Sequence, residues 1–163
     1  MKYEVARDRI FSGHVIGWTH RGFGSWYDLK VQAVRAWTRS EYSHVGLACW
    51  WGSRLFALEA VLTGVRIFPL SRLRPFHHVP VPVVWTPEVE EWAVDQVGAP
   101  YSQWQAIKAG VGMLKAGEDS IWQCAEYVQA VLDVAGVKLP GDPTPSIIMD
   151  EALKAAGCLY PVE

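Results

Sequence analysis

A chain of 163 residues, half of them apolar and 20% charged, fits one globular domain over residues 1–163 and excludes the disordered and fibrous classes. The net charge of −2, from 15 basic and 17 acidic residues, excludes the concentrated basic face that nucleic-acid binding needs. The locally basic stretch over residues 66–74 is interpreted as a solvated loop.

The sequence predicts an antiparallel sheet in its first half. An entry strand with loops is expected over residues 10–24, and a helix over residues 26–38, where apolar residues recur at helical spacing. Short apolar runs broken by Gly52-Ser53 and Thr63-Gly64 then predict strands joined by tight turns. These strands cover residues 43–51, 55–61, 65–70 and 78–85. Prolines within the last of them place it at a sheet edge.

Helices are predicted in the second half. Pro87 opens one at the favoured first position, and Gly98 closes it. Others are expected over residues 102–115, over residues 121–135, and from Thr144-Pro145 to the residue before Gly157. This order of elements is typical of an α+β fold in which an antiparallel sheet packs against helices.

The chain shows no pattern of secretion, membrane insertion or metal binding. Charged residues crowd the first nine positions, which is unlike the apolar core of a signal peptide. No apolar run reaches the roughly 20 residues that a bilayer span requires. The cysteines at positions 49, 124 and 158 lack the spacing of metal ligands. We therefore expect a cytoplasmic protein without a metal or other cofactor.

Cys124 is a candidate nucleophile. It lies near the start of the helix predicted over residues 121–135, where free backbone N–H groups and partial positive charge favour a thiolate. An unperturbed thiol, with a pKa of about 8.5, is only ~3% ionised at pH 7, so such assistance decides reactivity. The alternative is ordinary core packing, because Cys124 shares a helical stripe with Val128, Val131 and Leu132.

His44 and Glu59 are the candidate base and its partner. His44 enters a predicted strand, and Gly46 beyond it lets another backbone or a substrate approach closely. Glu59 is a lone acid inside an apolar strand, where a carboxylate must be paired or exposed. If the two strands pair, Glu59 can accept the ring N–H of His44 and fix its tautomer. An outward-facing glutamate on an edge strand is the alternative.

Four ordered motifs over residues 8–150 resemble those of the circularly permuted NlpC-like, papain-like cysteine hydrolases. This group includes the YiiX-type proteins and is related to lecithin:retinol acyltransferase. The motifs are Ser43-His44-Val45-Gly46, Leu58-Glu59-Ala60 with Gly64-Val65, Gly98-Ala99-Pro100-Tyr101 and Cys124-Ala125-Glu126-Tyr127-Val128. This chain departs from the pattern at Arg7-Asp8, where a Gly-Asp pair is frequent, and at Ala125, where serine often follows the cysteine.

The resemblance implies a permuted papain-like fold with Cys124 as nucleophile, His44 as general base and Glu59 as the third member of a triad. It also implies that Tyr101 lies near the thiolate and helps to hold the oxyanion. The expected activity is hydrolysis of an amide, such as a cell-wall peptide, or of an ester. A cell-wall substrate would require lysis, or a phage that encodes or delivers the protein.

Two alternatives to the hydrolase stay open. A lipid acyltransferase or thioesterase would use the same three residues on a lipid-like acyl substrate and differ only in the acceptor. A non-catalytic binding module would keep the scaffold without the chemistry. Trp18 and other tryptophans are candidates for an apolar acyl groove, or for core and rim packing.

Overall fold

The fold is organised around a six-stranded antiparallel sheet. The computed structural model describes residues 1–19, 42–61, 63–99, 120–140 and 143–163, with side chains given from Cys124 onward in the helix that begins at Ser120. The helices predicted over residues 26–38 and 102–115 lie outside these ranges, as does Tyr101.

The strands and helices follow one another in an order that matches the predicted class. They are α1 (Tyr3–Ala6), β1 (Val15–Trp18), β2 (His44–Trp51), β3 (Arg54–Val61), β4 (Gly64–Pro69), β5 (Phe76–Val79), α2 (Pro87–Asp95), α3 (Ser120–Val134), α4 (Pro145–Ala156) and β6 (Tyr160–Val162). The sheet order is β4-β3-β2-β1-β5-β6, with every neighbouring pair antiparallel. The α+β class, with an antiparallel sheet packed against helices, is confirmed.

Tight turns set the register of the three strands that carry the candidate base and acid. Gly52 adopts a left-handed φ of 57° in the two-residue turn between β2 and β3, a conformation that only glycine adopts at little cost. At the next turn Val61 pairs with Gly64, which places Glu59 opposite Arg66. Because cross-strand partners point to the same face, these two side chains become neighbours.

Helix α3 packs against β2 and β3 and builds the main core. Val128 and Leu132 are fully buried there beside Leu47 and Leu58 of the sheet. Burying each such side chain stabilises the fold by about 1.5–3 kcal/mol. A second cluster, which includes Ile16, lies on the other sheet face. Cys124 belongs to the main core, which confirms the packing role predicted for it. This role does not depend on the chemistry that the residue performs.

The helix ends follow local rules that the sequence displays. Thr144 accepts a hydrogen bond from the Ile147 N–H (3.1 Å), and Gly157 closes α4 with a φ of 73°. Helix α2 ends at Asp95, earlier than predicted. Gly98 instead donates its N–H to the Val65 carbonyl of β4 (2.9 Å). Within the described parts of the chain, no helix combines the length and apolarity needed to cross a membrane.

The strand predicted over residues 78–85 at a sheet edge is wrong in extent and in position. Strand β5 ends at Val79 and lies between β1 and β6, because the three residues of β6 cover its outer side. Pro80 and Pro82 have no N–H to donate, so ladder pairing stops. The Val81 N–H instead turns back to the Val79 carbonyl (3.0 Å). Strand β6 is short and contains Pro161, which hides it from sequence patterns.

Candidate active site

Pairing of β2 with β3 brings His44 and Glu59 together. His44 Nε2 lies 2.6 Å from Glu59 Oε2. The Glu59 side chain is 2% exposed, whereas solvent reaches 25% of the His44 side chain. Glu59 is therefore paired with His44, as the sequence predicts for the case in which the two strands pair. It does not point outward from an edge strand.

Gly46 is the residue that lets β2 and β3 approach at this point. A Cβ atom there would lie 2.9 Å from the Leu58 carbonyl oxygen and 3.3 Å from both Glu59 Cβ and Trp18 Cζ3. Two of these neighbours belong to β3 and cannot move without shifting the strand. The sequence predicts a close approach at Gly46. In the structure, the groups that approach it are the Leu58 backbone and the Glu59 side chain.

We expect Gly46→Ala to lower the free energy of unfolding by about 1–3 kcal/mol, because the added methyl group overpacks the site between β2 and β3. Urea denaturation measures the loss. Gly52→Ala is the matched control: no atom lies within 4 Å of a Cβ there, so it bears only the cost of a left-handed φ, about 1 kcal/mol. Equal stability of Gly46→Ala and the wild type would contradict the role given to Gly46.

Arg66 occupies the other oxygen of the same carboxylate. Its Nε and Nη2 lie 2.8 Å and 2.7 Å from Glu59 Oε1. The guanidinium also lies over the Phe68 ring, 4.6 Å from its centroid. Arg66 is not among the residues that the sequence predicts for the site, since residues 66–74 are interpreted there as a solvated loop. The feature that could have identified Arg66 is the register of the β3–β4 hairpin, which places Arg66 opposite Glu59.

Cys124 lies on the helix that packs against these strands and reaches the other side of the imidazole. Its side chain is 1% exposed and forms a hydrogen bond with His44. Because Glu59 engages Nε2, Nδ1 is the ring nitrogen left for the thiol. Cys124 is the fifth residue of α3, one turn inside rather than at the free N–H groups. The free N–H groups of the helix end therefore lie before Cys124, and the side chain that contacts its thiol is His44.

The charges in this cluster support one another. Burial alone would lower the pKa of His44, but the negative charge of Cys124 and the hydrogen bonds to Cys124 and Glu59 outweigh it and raise the pKa of His44 to about 10. Burial likewise opposes the charge of Glu59, yet the contacts with His44 and then Arg66 hold its pKa below the ordinary value. At neutral pH the site therefore contains a His44 imidazolium beside the Glu59 carboxylate.

Trp18 provides an apolar wall beside the imidazole. Its ring centroid lies 5.2 Å from that of His44, with the planes tilted by 35°. The indole N–H donates to the Leu73 carbonyl (2.6 Å), which fixes the ring in place. Trp18 also packs against the second core cluster, in keeping with its packing role, and its role in an acyl groove stays a prediction.

No protein-family model matches this sequence, and no curated protein matches it. Among solved structures the chain is similar to the crystal structure of the metalloprotein yiiX from Escherichia coli O157:H7. The two are 21% identical, the similarity covers 94% of this chain and 97% of the other, and the TM-score is 0.49. That neighbour is of the YiiX type that the sequence motifs resemble. The relationship to NlpC-like hydrolases and to lecithin:retinol acyltransferase stays a prediction.

The remaining site prediction, Tyr101, lies outside the described residues, so its role at the oxyanion stays a prediction. Adjacent His77 and His78 point to opposite faces of β5, as expected for a strand: the first contacts Tyr42 and the second contacts His14. Among the described side chains, no group of three or more His, Cys, Asp or Glu is placed to hold a metal ion.

His14 and His78 form a buried neutral pair away from the triad. His14 Nδ1 accepts the Phe11 N–H (3.2 Å), so the His78 Nε2–H donates to that same nitrogen (2.7 Å). Burial lowers the pKa of His14 to about 4, and burial together with His14 lowers that of His78 to about 4. Neither imidazole carries a charge in the folded protein at neutral pH.

We expect this pair to make the fold acid-sensitive. The folded-state pKa values lie below the unfolded value of about 6.5, so the unfolded chain binds more protons in between. Stability is full above pH 6.5 and falls as the pH drops toward 4, by about 1.4 kcal/mol per pH unit for each proton. Urea denaturation across this window should show a shallower slope in His78→Gln than in the wild type. An unchanged slope in His78→Gln would count against the pair.

Proposed function

We propose that this protein is a thiol hydrolase in which Cys124, His44 and Glu59 cleave an amide or an ester through an acyl-enzyme. The observation that carries the proposal is a single imidazole hydrogen-bonded both to a cysteine and to a buried carboxylate. A nucleophile, a base in contact with it and a third group that orients the base are the parts that covalent acyl transfer requires.

We propose that acylation begins from an ion pair of the Cys124 thiolate and the His44 imidazolium. The Cys124 thiolate adds to the carbonyl carbon, and the π electrons of the carbonyl move to its oxygen. As the intermediate collapses, the C–N or C–O bond breaks and the His44 imidazolium gives its proton to the leaving nitrogen or oxygen. The products of this half are a thioester on Cys124, a free amine or alcohol, and a neutral imidazole. Glu59 retains its hydrogen bond to Nε2 throughout and keeps Nδ1 directed at the reacting atoms.

Deacylation reverses the roles with water. Neutral His44 takes a proton from a water molecule, whose oxygen adds to the thioester carbon. The C–S bond then breaks, a carboxylic acid leaves, and Cys124 departs as a thiolate beside a newly formed imidazolium. An alcohol or amine in place of water gives the acyltransferase, the second activity that this triad would serve.

The substrate classes that we propose are peptide amides of cell-wall type and lipid-like esters. The apolar wall formed by Trp18 beside His44 suits an acyl chain. Synthesis in the cytoplasm, with lysis or phage delivery for a cell-wall target, is part of the same proposal.

The acyl-enzyme is the species to detect. Wild-type protein is incubated with p-nitrophenyl acetate, a long-chain p-nitrophenyl ester or a muropeptide mixture, then quenched in acid and weighed intact. We expect an acyl adduct that peptide mapping assigns to Cys124, with turnover lost in Cys124→Ala. Cys158→Ala, the matched control, should keep both. Equal turnover by wild type and Cys124→Ala, with no adduct on Cys124, would overturn the proposal.

A further inference from the structure

We infer that Arg66 is a positioning residue of this site: it holds the Glu59 carboxylate ionised and turned toward His44. The inference rests on the proposed function, since its effect reaches the reacting sulfur only through Glu59 and His44. Arg66 belongs to none of the motifs by which the sequence resembles a hydrolase family.

The geometry of the carboxylate carries the inference. Two nitrogen atoms of Arg66 converge on Oε1, at 2.8 Å and 2.7 Å, while His44 Nε2 approaches Oε2 at 2.6 Å. Each oxygen therefore has its own donor, and rotation of the carboxylate would break contacts on both sides. With 2% of the Glu59 side chain exposed, water cannot take over either contact.

Arg66 is itself fixed by its strand. It pairs across β3–β4 with Glu59, and its guanidinium rests over the Phe68 ring. The neighbouring Val65 carbonyl accepts the Gly98 N–H, which ties this part of β4 to the segment after α2. Although 42% of the Arg66 side chain is exposed, the donors that face Glu59 are directed by these contacts rather than by chance approach of a mobile chain.

Each strand and helix around the carboxylate contributes one charge to this system. Among the described residues, the charged and titratable groups that act on Glu59 are His44 from β2 and Arg66 from β4. Those that act on His44 are Glu59 and, from α3, Cys124. Without Arg66 the carboxylate keeps one cationic neighbour and takes up a proton at higher pH. The His44 imidazolium then loses its ionised partner, which in the proposed function orients His44 toward Cys124.

The experiment is the pH dependence of Cys124 alkylation by iodoacetamide between pH 4 and 8, followed by peptide mapping. For Arg66→Gln we expect the midpoint of the acid limb to move up by about one pH unit, the shift that loss of an adjacent opposite charge produces. Arg66→Lys should move it less, because an ammonium keeps the charge but not the two-nitrogen fork. Arg54→Gln removes an exposed positive charge from the same sheet and should leave the midpoint unchanged.

The outcomes separate this inference from the proposed function. If wild-type Cys124 behaves as free cysteine does, the proposed function fails whatever Arg66 does. If the wild-type limb is acid-shifted and Arg66→Gln leaves it in place, the positioning role fails alone. If Arg66→Gln lowers the stability, which urea denaturation at each pH measures, but leaves the alkylation midpoint unshifted, the positioning role also fails. Should Arg66→Gln not fold, Arg66→Lys decides, and a midpoint equal to wild type overturns the inference.

Discussion

Cys124 should react with iodoacetamide at pH 6 nearly as fast as at pH 8, because in the proposed function the His44 imidazolium beside it favours the thiolate. Free cysteine, by contrast, loses about tenfold in rate for each pH unit below its pKa of about 8.5. Only 1% of the Cys124 side chain is exposed, so the ratio of rates at the two pH values is the quantity to compare. Quenched time courses with mass spectrometry of the labelled peptides give that ratio.

One variant and one internal cysteine control this experiment. His44→Ala should restore a rate that falls at least tenfold between pH 8 and pH 6, since the imidazolium is gone. Cys49 should remain unlabelled, because burial and then the charge of Glu90 raise its pKa to about 12. If Cys124 lost rate with falling pH as free cysteine does, and His44→Ala changed nothing, the ion pair would not exist.

Glu59→Gln should damage both stability and reactivity. We expect the free energy of unfolding to fall by about 1–3 kcal/mol. The loss lies below that of breaking a fully buried ion pair, because His44 can release its proton and Arg66 is 42% exposed to water. The pKa of His44 should fall at the same time, since Glu59 is one of the groups that raise it. Urea denaturation measures the first effect, and the alkylation ratio between pH 6 and pH 8 measures the second.

The matched control is Glu90→Gln, a second carboxylate, whose Oε2 accepts hydrogen bonds from the Trp85 indole N–H (2.9 Å) and the Cys49 thiol (4.0 Å). It should lose stability without altering the alkylation ratio. A Glu59→Gln protein with wild-type stability and a wild-type ratio would remove Glu59 from the site.

Much of this fold can be predicted because its signals are local. Alternating apolar runs broken by Gly52 and Gly64 define the three paired strands, and Thr144 with Gly157 defines the last helix. The strand around Val79 is misjudged because its end depends on proline chemistry, while its place inside the sheet depends on β6, eighty residues further along the chain. Short strands paired over such separations carry no periodic pattern of their own.

The candidate site can likewise be predicted from the sequence only in part. His44 and Glu59 can be proposed from residue type and strand context, and their meeting follows once the hairpin is assumed. Arg66 is missed because its role depends on register rather than on its own neighbours in sequence. The place of Cys124 in its helix also differs slightly from expectation, since a helix that starts at Ser120 rather than at residue 121 moves the cysteine one residue inward. Boundary positions are set by packing that a single sequence does not display.

The contact between β4 and the segment after α2 also protects the sheet from self-association. Strand β4 is an edge strand, whose unpaired backbone groups would offer a template for another chain. The Val65 carbonyl is occupied by the Gly98 N–H, and the Ala99 carbonyl oxygen lies so near Gly64 that a Cβ there would sit 2.6 Å from it. A second molecule would therefore meet an occupied carbonyl and a close backbone neighbour at the start of β4, so this part of the edge offers no free template for an added strand.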